Sequence, residues 1–284
     1  MKIFNKKNCL SIGIFLTILM LIGSFLDYQI SSTLYNPNSI FGIFFASYGQ
    51  LPAMLCICIG GTLLIRVSQS CQSFIKGLCF ILGILLNVLA IAGISLDPML
   101  YISHMSIGLS IMIAIVIVMI GDIVSFKISK DTPKNELKKI ILLLLGTTFL
   151  ELLIINIIKI PWSRPRMRMI VQQPFASFQP WWIIGSHMKN HFMALGVAAE
   201  EFKSFPSGHT GNAACAILLV ILPLVCQKLK GKENILFFIG IIFTLIVAFS
   251  RIIMGAHFLT DVTIGMSVTL IIEMLLIHIL WKKE

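Results

Sequence analysis

The chain has 284 residues, of which 57% are hydrophobic and only 12% charged, with a mean hydropathy of +0.96. A water-soluble domain of this length cannot cover its surface with so few polar groups, so that class is excluded and the bilayer becomes the main solvent. A formal charge of +10 invites a nucleic-acid partner, but a polytopic membrane protein reads more simply, because basic residues gather in loops on the cytoplasmic side.

A spanning helix needs about 20 mostly apolar residues. Eight stretches qualify: 10–26, 49–65, 74–95, 102–125, 139–159, 207–226, 234–251 and 261–280. The first follows Lys2, Lys6 and Lys7, and no small-x-small cleavage site precedes Asp27, so a retained anchor is expected rather than a signal peptide. Pro52, Gly60 and Gly61 interrupt the second, and the glycine pair suits helix packing better than a phosphate cradle. The fifth and eighth carry Glu151 and Glu273. Hydrogen bonds to neighbouring helices are expected for these acids, with a proton path as the alternative. Segment 160–206 is the only long connection, and such length points to function. Its Trp, Phe and Met residues suit either an interfacial belt or a cap over a substrate. The seven cysteines lie in or beside apolar runs, so no disulfide framework is expected. The fold expected is all-α, a polytopic bundle of about eight transmembrane helices. Residues 1–138 form its N-terminal helices, and residues 139–284 a catalytic core with 160–206 as an external loop.

With the N-terminus in the cytoplasm, inner segments from Lys2 to Lys283 hold 15 of the 22 bases, and outer segments 27–48 and 96–101 hold none. The other seven are Lys159, Arg164, Arg166, Arg168, Lys189, Lys203 and Arg251, all in 160–206 or at the helix ends beside it. They run against the positive-inside tendency and need another explanation.

Three clusters supply one. Lys159-Ile-Pro-Trp-Ser-Arg164-Pro-Arg166-Met-Arg168 ends the fifth span, and Phe205-Pro-Ser207-Gly208-His209-Thr210 opens the sixth. Ser250-Arg251 ends the seventh, followed by His257-Phe-Leu-Thr-Asp261 at the start of the eighth. The alternation of crossings returns all three to one membrane surface. The residue types suit phosphoryl transfer, in which catalysis is largely positioning and stabilisation of charge on the equatorial oxygens. Lys159, Arg166 and Arg251 can supply positive charge, and arginine adds a planar fork matched to phosphate. Ser207 and Gly208 at a helix start can offer a hydroxyl and free N–H groups. His257 and Asp261 are four apart and share a helix face, so the carboxylate can hold one ring N–H while the other nitrogen attacks phosphorus. His209 can then protonate the departing oxygen.

Lys159-x6-Arg166, Pro206-Ser-Gly-His209 and Ser250-Arg251-x5-His257-x3-Asp261 resemble the three signatures of the type 2 phosphatidic acid phosphatase family. That family includes membrane lipid phosphatases and, more distantly, soluble acid phosphatases and vanadium haloperoxidases. The resemblance covers roughly 139–280. It implies His257 as nucleophile, Asp261 as its orienter and His209 as the acid, with Lys159, Arg166, Ser207, Gly208 and Arg251 on the phosphate. The family has Pro after the first-motif arginine. Here Met167 follows Arg166, and an Arg-Pro pair stands two residues earlier, so Arg164 joins the phosphate-binding candidates, although the distance from Lys159 favours Arg166. The family core has six spans, which leaves the first two unexplained by the motifs.

The function implied is hydrolysis of a lipid phosphate or diphosphate through a phosphohistidine, with no cofactor, no metal and no nucleic-acid partner. Polyprenyl diphosphate, phosphatidate and phosphatidylglycerol phosphate are the candidate substrates, met at the extracytoplasmic side of the plasma membrane. His104, His187, His191 and His278 make no metal-ligand pattern with Asp or Cys. A lipid phosphotransferase is the enzymatic alternative. A transporter of a phosphorylated solute is the alternative of another class, disfavoured because no internal repeat is visible and the cationic cluster sits at the membrane edge.

Overall fold

The computed structural model describes residues 6–282. Lys2 and Lys283, used above to orient the chain, lie outside the described residues, as do the side chains of Lys6 and Lys7. The described residues form helices and no strand. In chain order these are α1 (Lys6–Leu34), α2 (Ile40–Tyr48), α3 (Leu51–Ser68), α4 (Ser73–Tyr101), α5 (Ile107–Ile128) and α6 (Lys134–Trp162). Then come α7 (Met167–Gln172), α8 (Met188–Ala194), α9 (Gly208–Ala214), α10 (Leu222–Val225), α11 (Glu233–Ile253) and α12 (Leu259–Leu280). Eight segments are long and apolar enough to cross a membrane, and the chain is an integral membrane protein. Helices satisfy every backbone group internally, which the hydrocarbon core demands.

Two edges differ from the sequence expectation in ways that matter. α1 continues two turns past residue 26, so Asp27 is buried inside the bundle instead of marking the membrane surface. The second span begins with α2 at Ile40, and most of the expected outer segment 27–48 is therefore helical. The break at Gly49–Gln50 falls between α2 and α3 and frees Gln50 to turn toward the site. The sixth span is α9, a 3-10 stretch over Cys215–Ile221, and α10. At about 2.0 Å rise per 3-10 residue against 1.5 Å for α, these 18 residues reach roughly 30 Å, a full hydrocarbon thickness.

α3 sits centrally, packed against α4, α5, α6 and α9, while α12 packs on α1, α6 and α9, and α11 on α2 and α9. The α3–α4 crossing is close because both faces are glycine: a Cβ on Gly61 would come within 2.8 Å of the Gly83 carbonyl oxygen. Gly60 and Gly61 thus serve packing, as small residues do where helices approach in membranes. Glu151 and Glu273 depart from expectation. Glu151 Oε2 and both Glu273 oxygens are buried without a hydrogen-bond partner among the described residues. The reason is what faces them, since Glu151 abuts Gly211 and Glu273 lies beside Cys56, neither offering a strong donor.

Candidate active site

The three clusters meet at one end of the bundle, knitted by backbone hydrogen bonds. α6 ends at Ser163, whose φ of 47° turns the chain out of the helix one turn after Lys159. The extended stretch that follows is pinned on both sides. Arg166 N donates to the Glu201 carbonyl at 2.9 Å, Ser204 N to the Arg164 carbonyl at 3.0 Å, and Arg168 N to the Gly255 carbonyl at 3.0 Å. Gly255 has φ +62°, and a Cβ there would stand 2.6 Å from the Tyr35 ring, so glycine is required on both counts. Ser207 N donates to the Asp261 carbonyl at 3.0 Å, which fixes the second cluster on the third. The Ser207 hydroxyl caps α9 by accepting from Thr210 N at 3.3 Å. Gly208 lies beside it, 3.6 Å from Lys159 Nζ when measured from a Cβ built there.

His257 is buried, and its Nδ1 lies 2.5 Å from the Ser204 carbonyl oxygen. A carbonyl only accepts, so Nδ1 carries the proton and Nε2 keeps its lone pair. Burial, followed by the charges of Arg166 and Lys159, pulls the imidazole down to about 3 despite the opposing pull of Asp261, so the ring is neutral at physiological pH. Asp261 Oδ2 is 3.8 Å from Nδ1, too far for a hydrogen bond but close enough for charge. The carboxylate instead accepts from Ser204 Oγ at 2.5 Å and Phe258 N at 2.8 Å. It thereby ties Ser204 to the start of α12, and the Ser204 carbonyl is the direct partner of the ring.

Arg164, a phosphate-binding candidate on sequence, is committed to protein partners in the fold. Its guanidinium is fully buried, donating to Asp261 Oδ1 at 2.5 Å, Thr260 Oγ1 at 2.9 Å, Asp27 Oδ2 at 2.9 Å and the Gln179 carbonyl at 2.8 Å. The Phe258 and Phe178 rings lie 4.3 and 5.3 Å from its central carbon. Asp27 also accepts from Thr260 N at 3.0 Å, near the start of α12. With its fork committed to these partners, Arg164 braces α1, loop 160–206 and α12 together.

Arg166, Arg251 and Lys159 are differently placed. Arg251 is buried, and its Nε and one terminal nitrogen have no hydrogen-bond partner among the described residues; the other donates to Tyr101 Oη at 3.1 Å. Neither Arg251 nor Lys159 pairs with a carboxylate among the described residues. Arg166 Nε is likewise unpartnered among the described residues, and its guanidinium pairs with half-exposed Glu200 at 2.6 Å and with Glu201 at 4.0 Å. Both guanidinium groups therefore keep donors free, and Lys159 has no carboxylate within ion-pair distance among the described residues. Among the described residues no three His, Cys, Asp or Glu side chains come together as a metal set.

His209 faces the N-terminal half of the chain. Its Nε2 lies 3.2 Å from the Ala46 carbonyl oxygen and 3.5 Å from Asp97 Oδ2. Gln50 donates to Asp97 Oδ2 and accepts from Asn212 Nδ2. The sequence reading missed Asp27, Asp97, Tyr101, Glu200 and Ser204. Asp27 and Asp97 fell just past the ends of the expected spans 10–26 and 74–95, so neither read as an acid inside the membrane. For the others nothing local announced a partner so distant in sequence.

The family model of the PAP2 superfamily matches residues 140–284, half of the chain. Phosphatidylglycerophosphatase B of Bacillus subtilis (strain 168) is 36% identical over 75 residues, 26% of this chain and 37% of that protein's length. No solved structure matches. All three clusters fall within or just beside helices of the matched half, and the chain belongs to the PAP2 superfamily.

Proposed function

We propose that the protein is a membrane phosphatase that hydrolyses a lipid phosphate or diphosphate through a phosphohistidine, without a metal. One observation carries this reading: His257 is buried with Nδ1 on the Ser204 carbonyl and Nε2 without a partner among the described residues, beside Lys159 and Arg166, with Arg251 and His209 at the same end of the bundle. Nε2 of His257 forms the N–P bond as the P–O bond to the lipid breaks, and His209 gives its proton to the departing oxygen. Lys159, Arg166 and Arg251 hold the equatorial oxygens, with Ser207 and Gly208 at the start of α9 beside them. The phosphorylated ring, still protonated on Nδ1, is cationic, and the buried Asp261 carboxylate at 3.8 Å offsets that charge. Water then attacks phosphorus, His209 takes its proton, and the N–P bond breaks to free phosphate.

The charge asymmetry supports an extracytoplasmic site in the plasma membrane. Substrate would then come from the outer leaflet. Phosphatidylglycerol phosphate is the first candidate given the relative's name, followed by polyprenyl diphosphate and phosphatidate. The exposed Phe175, Trp182 and Ile184 of the 160–206 loop suit contact with lipid tails. The test offers these lipids to the purified protein in detergent with EDTA present and measures phosphate release. Turnover that chelation leaves intact and vanadate inhibits is expected. Activity that disappears with EDTA and returns with a divalent ion would overturn the metal-free mechanism, and no release from any lipid phosphate would overturn the reading.

A further inference from the structure

We infer that Asp97, on α4 and outside the family-matched half, is a positioning residue for His209 that holds the ring and balances its charge when it acts as acid. This deepens the phosphatase reading above and rests on it. The Ala46 carbonyl, 3.2 Å from His209 Nε2, can only accept, so that nitrogen carries a proton and turns it toward Ala46 and Asp97. Gln50 Nε2, 3.3 Å from the same nitrogen, is already a donor to Asp97 and so adds no acceptor. Nδ1 makes no hydrogen bond among the described residues. It is the nitrogen left to exchange a proton with the departing oxygen.

An acid of this kind must at some moment carry two protons, and hence a positive charge, with Arg251 and Lys159 close by. A cation partly withdrawn from water beside other cations is stabilised by a counter-charge. Asp97 Oδ2, at 3.5 Å, is the carboxylate oxygen within pairing distance of His209 among the described residues. The carboxylate is itself held. Gln50 donates to it and accepts from Asn212, which stands three residues after His209 on α9, so the acid and its partner are tied to one helix. α4 makes a second contact with the site from the same face. Tyr101, four residues beyond Asp97, accepts from Arg251 at 3.1 Å, and its ring lies 5.3 Å from the guanidinium carbon. α4 thus reaches both the proton donor and a phosphate-binding cation, and the matched half alone does not contain the whole site.

In the first step the Nδ1 proton passes to the lipid oxygen, and Nε2 keeps its own. In the second, a water proton returns to Nδ1 as the hydroxide oxygen joins phosphorus. The logic is that of a carboxylate orienting a catalytic histidine from behind.

The experiment compares wild type, Asp97→Asn and Asp97→Glu in detergent, on a lipid phosphate and on 4-nitrophenyl phosphate, by single-turnover and burst kinetics. 4-Nitrophenolate leaves with little protonation. For Asp97→Asn the first turnover on the lipid should slow by about 10²–10⁴-fold, the range general acid–base catalysis contributes. The nitrophenolate burst should stay within about tenfold of wild type and be followed by a slow steady state, because His209 must still act as base on water. Asp97→Glu should restore part of the lipid rate. Vanadate affinity of Asp97→Asn near the wild-type value verifies that the phosphate pocket is intact, and if that variant fails to insert, Asp97→Glu is read by the same burst. Equal losses on both substrates, or an Asp97→Asn lipid rate within twofold of wild type, overturn this inference while leaving the phosphatase reading standing. A wild type inactive on both substrates overturns the phosphatase reading and the inference with it.

Discussion

Arg164 and Arg166 stand two residues apart, yet their surroundings demand opposite consequences from the same substitution. Arg164→Ala removes the cation paired with both Asp27 and Asp261, which are buried, and leaves two carboxylates without an ion pair among the described residues beside the start of α12. Breaking a buried pair from one side costs about 3–5 kcal/mol, because the orphaned charge stays out of water. The Arg166–Glu200 pair is half exposed on its acidic side, and such pairs contribute about 1 kcal/mol or less. Unfolding in mixed micelles, followed by helical signal, should therefore show a loss of several kcal/mol for Arg164→Ala and little for Arg166→Ala. Phosphatase kinetics should show the reverse partition in KM, with Arg166→Ala raising it strongly. Adding Asp27→Asn to Arg164→Ala should recover part of the lost stability, since it deletes one of the stranded charges. A stable Arg164→Ala protein with a raised KM would refute the reasoning and make Arg164 a phosphate ligand.

Three further outcomes are expected. Glu200→Gln should lower KM for the lipid, because Glu200 occupies Arg166 at 2.6 Å where substrate phosphate would bind; an unchanged KM would separate that pair from the substrate path. Burial pushes Glu200 up, but Arg166, Lys203 and Lys159 outweigh it and hold it below the usual range, so the competition should persist into mildly acidic buffer and fade only below the ordinary glutamate pKa. His257 is held down at about 3, below the ordinary 6.5, so it keeps its lone pair as pH falls, and the nitrophenolate burst should show no loss with a midpoint near 6.5. In a cysteine-free background, an impermeant thiol reagent should label Ala198→Cys on intact cells but Lys230→Cys only after permeabilisation, both positions being exposed; the reverse pattern would move the site to the cytoplasm.

The spans and the three clusters were legible because they rest on strong local signals, apolar runs of a bilayer's length and motifs at helix ends. Their meeting at one end followed from counting crossings. What stayed hidden was what α1, α2, Gln50 at the α2–α3 break and α4 bring to this end of the bundle. Asp27 reads as the polar edge of a first span, and only the partner at Arg164, 137 residues on, shows that it is interior. Asp97 lies before Pro98 near a helix end, where an acid ordinarily faces water. The choice between Arg164 and Arg166 rested on spacing alone. What separates them in the fold is that Asp27 and Asp261 claim the first, while the second keeps a free Nε. The first two spans, unexplained by the motifs, pack against the core and supply Asp27, Ala46 and Gln50.

The central claim is a covalent bond between phosphorus and Nε2 of His257. Rapid quenching of the purified protein with a ³²P-labelled lipid phosphate, followed by digestion and peptide mapping, tests it directly. The expected label is acid-labile and base-stable, resides on the peptide containing His257, accumulates in His209→Ala given an aryl phosphate, and is absent from His257→Ala. Full turnover in wild type with label on another residue, or a His257→Ala protein that still turns over, would contradict it.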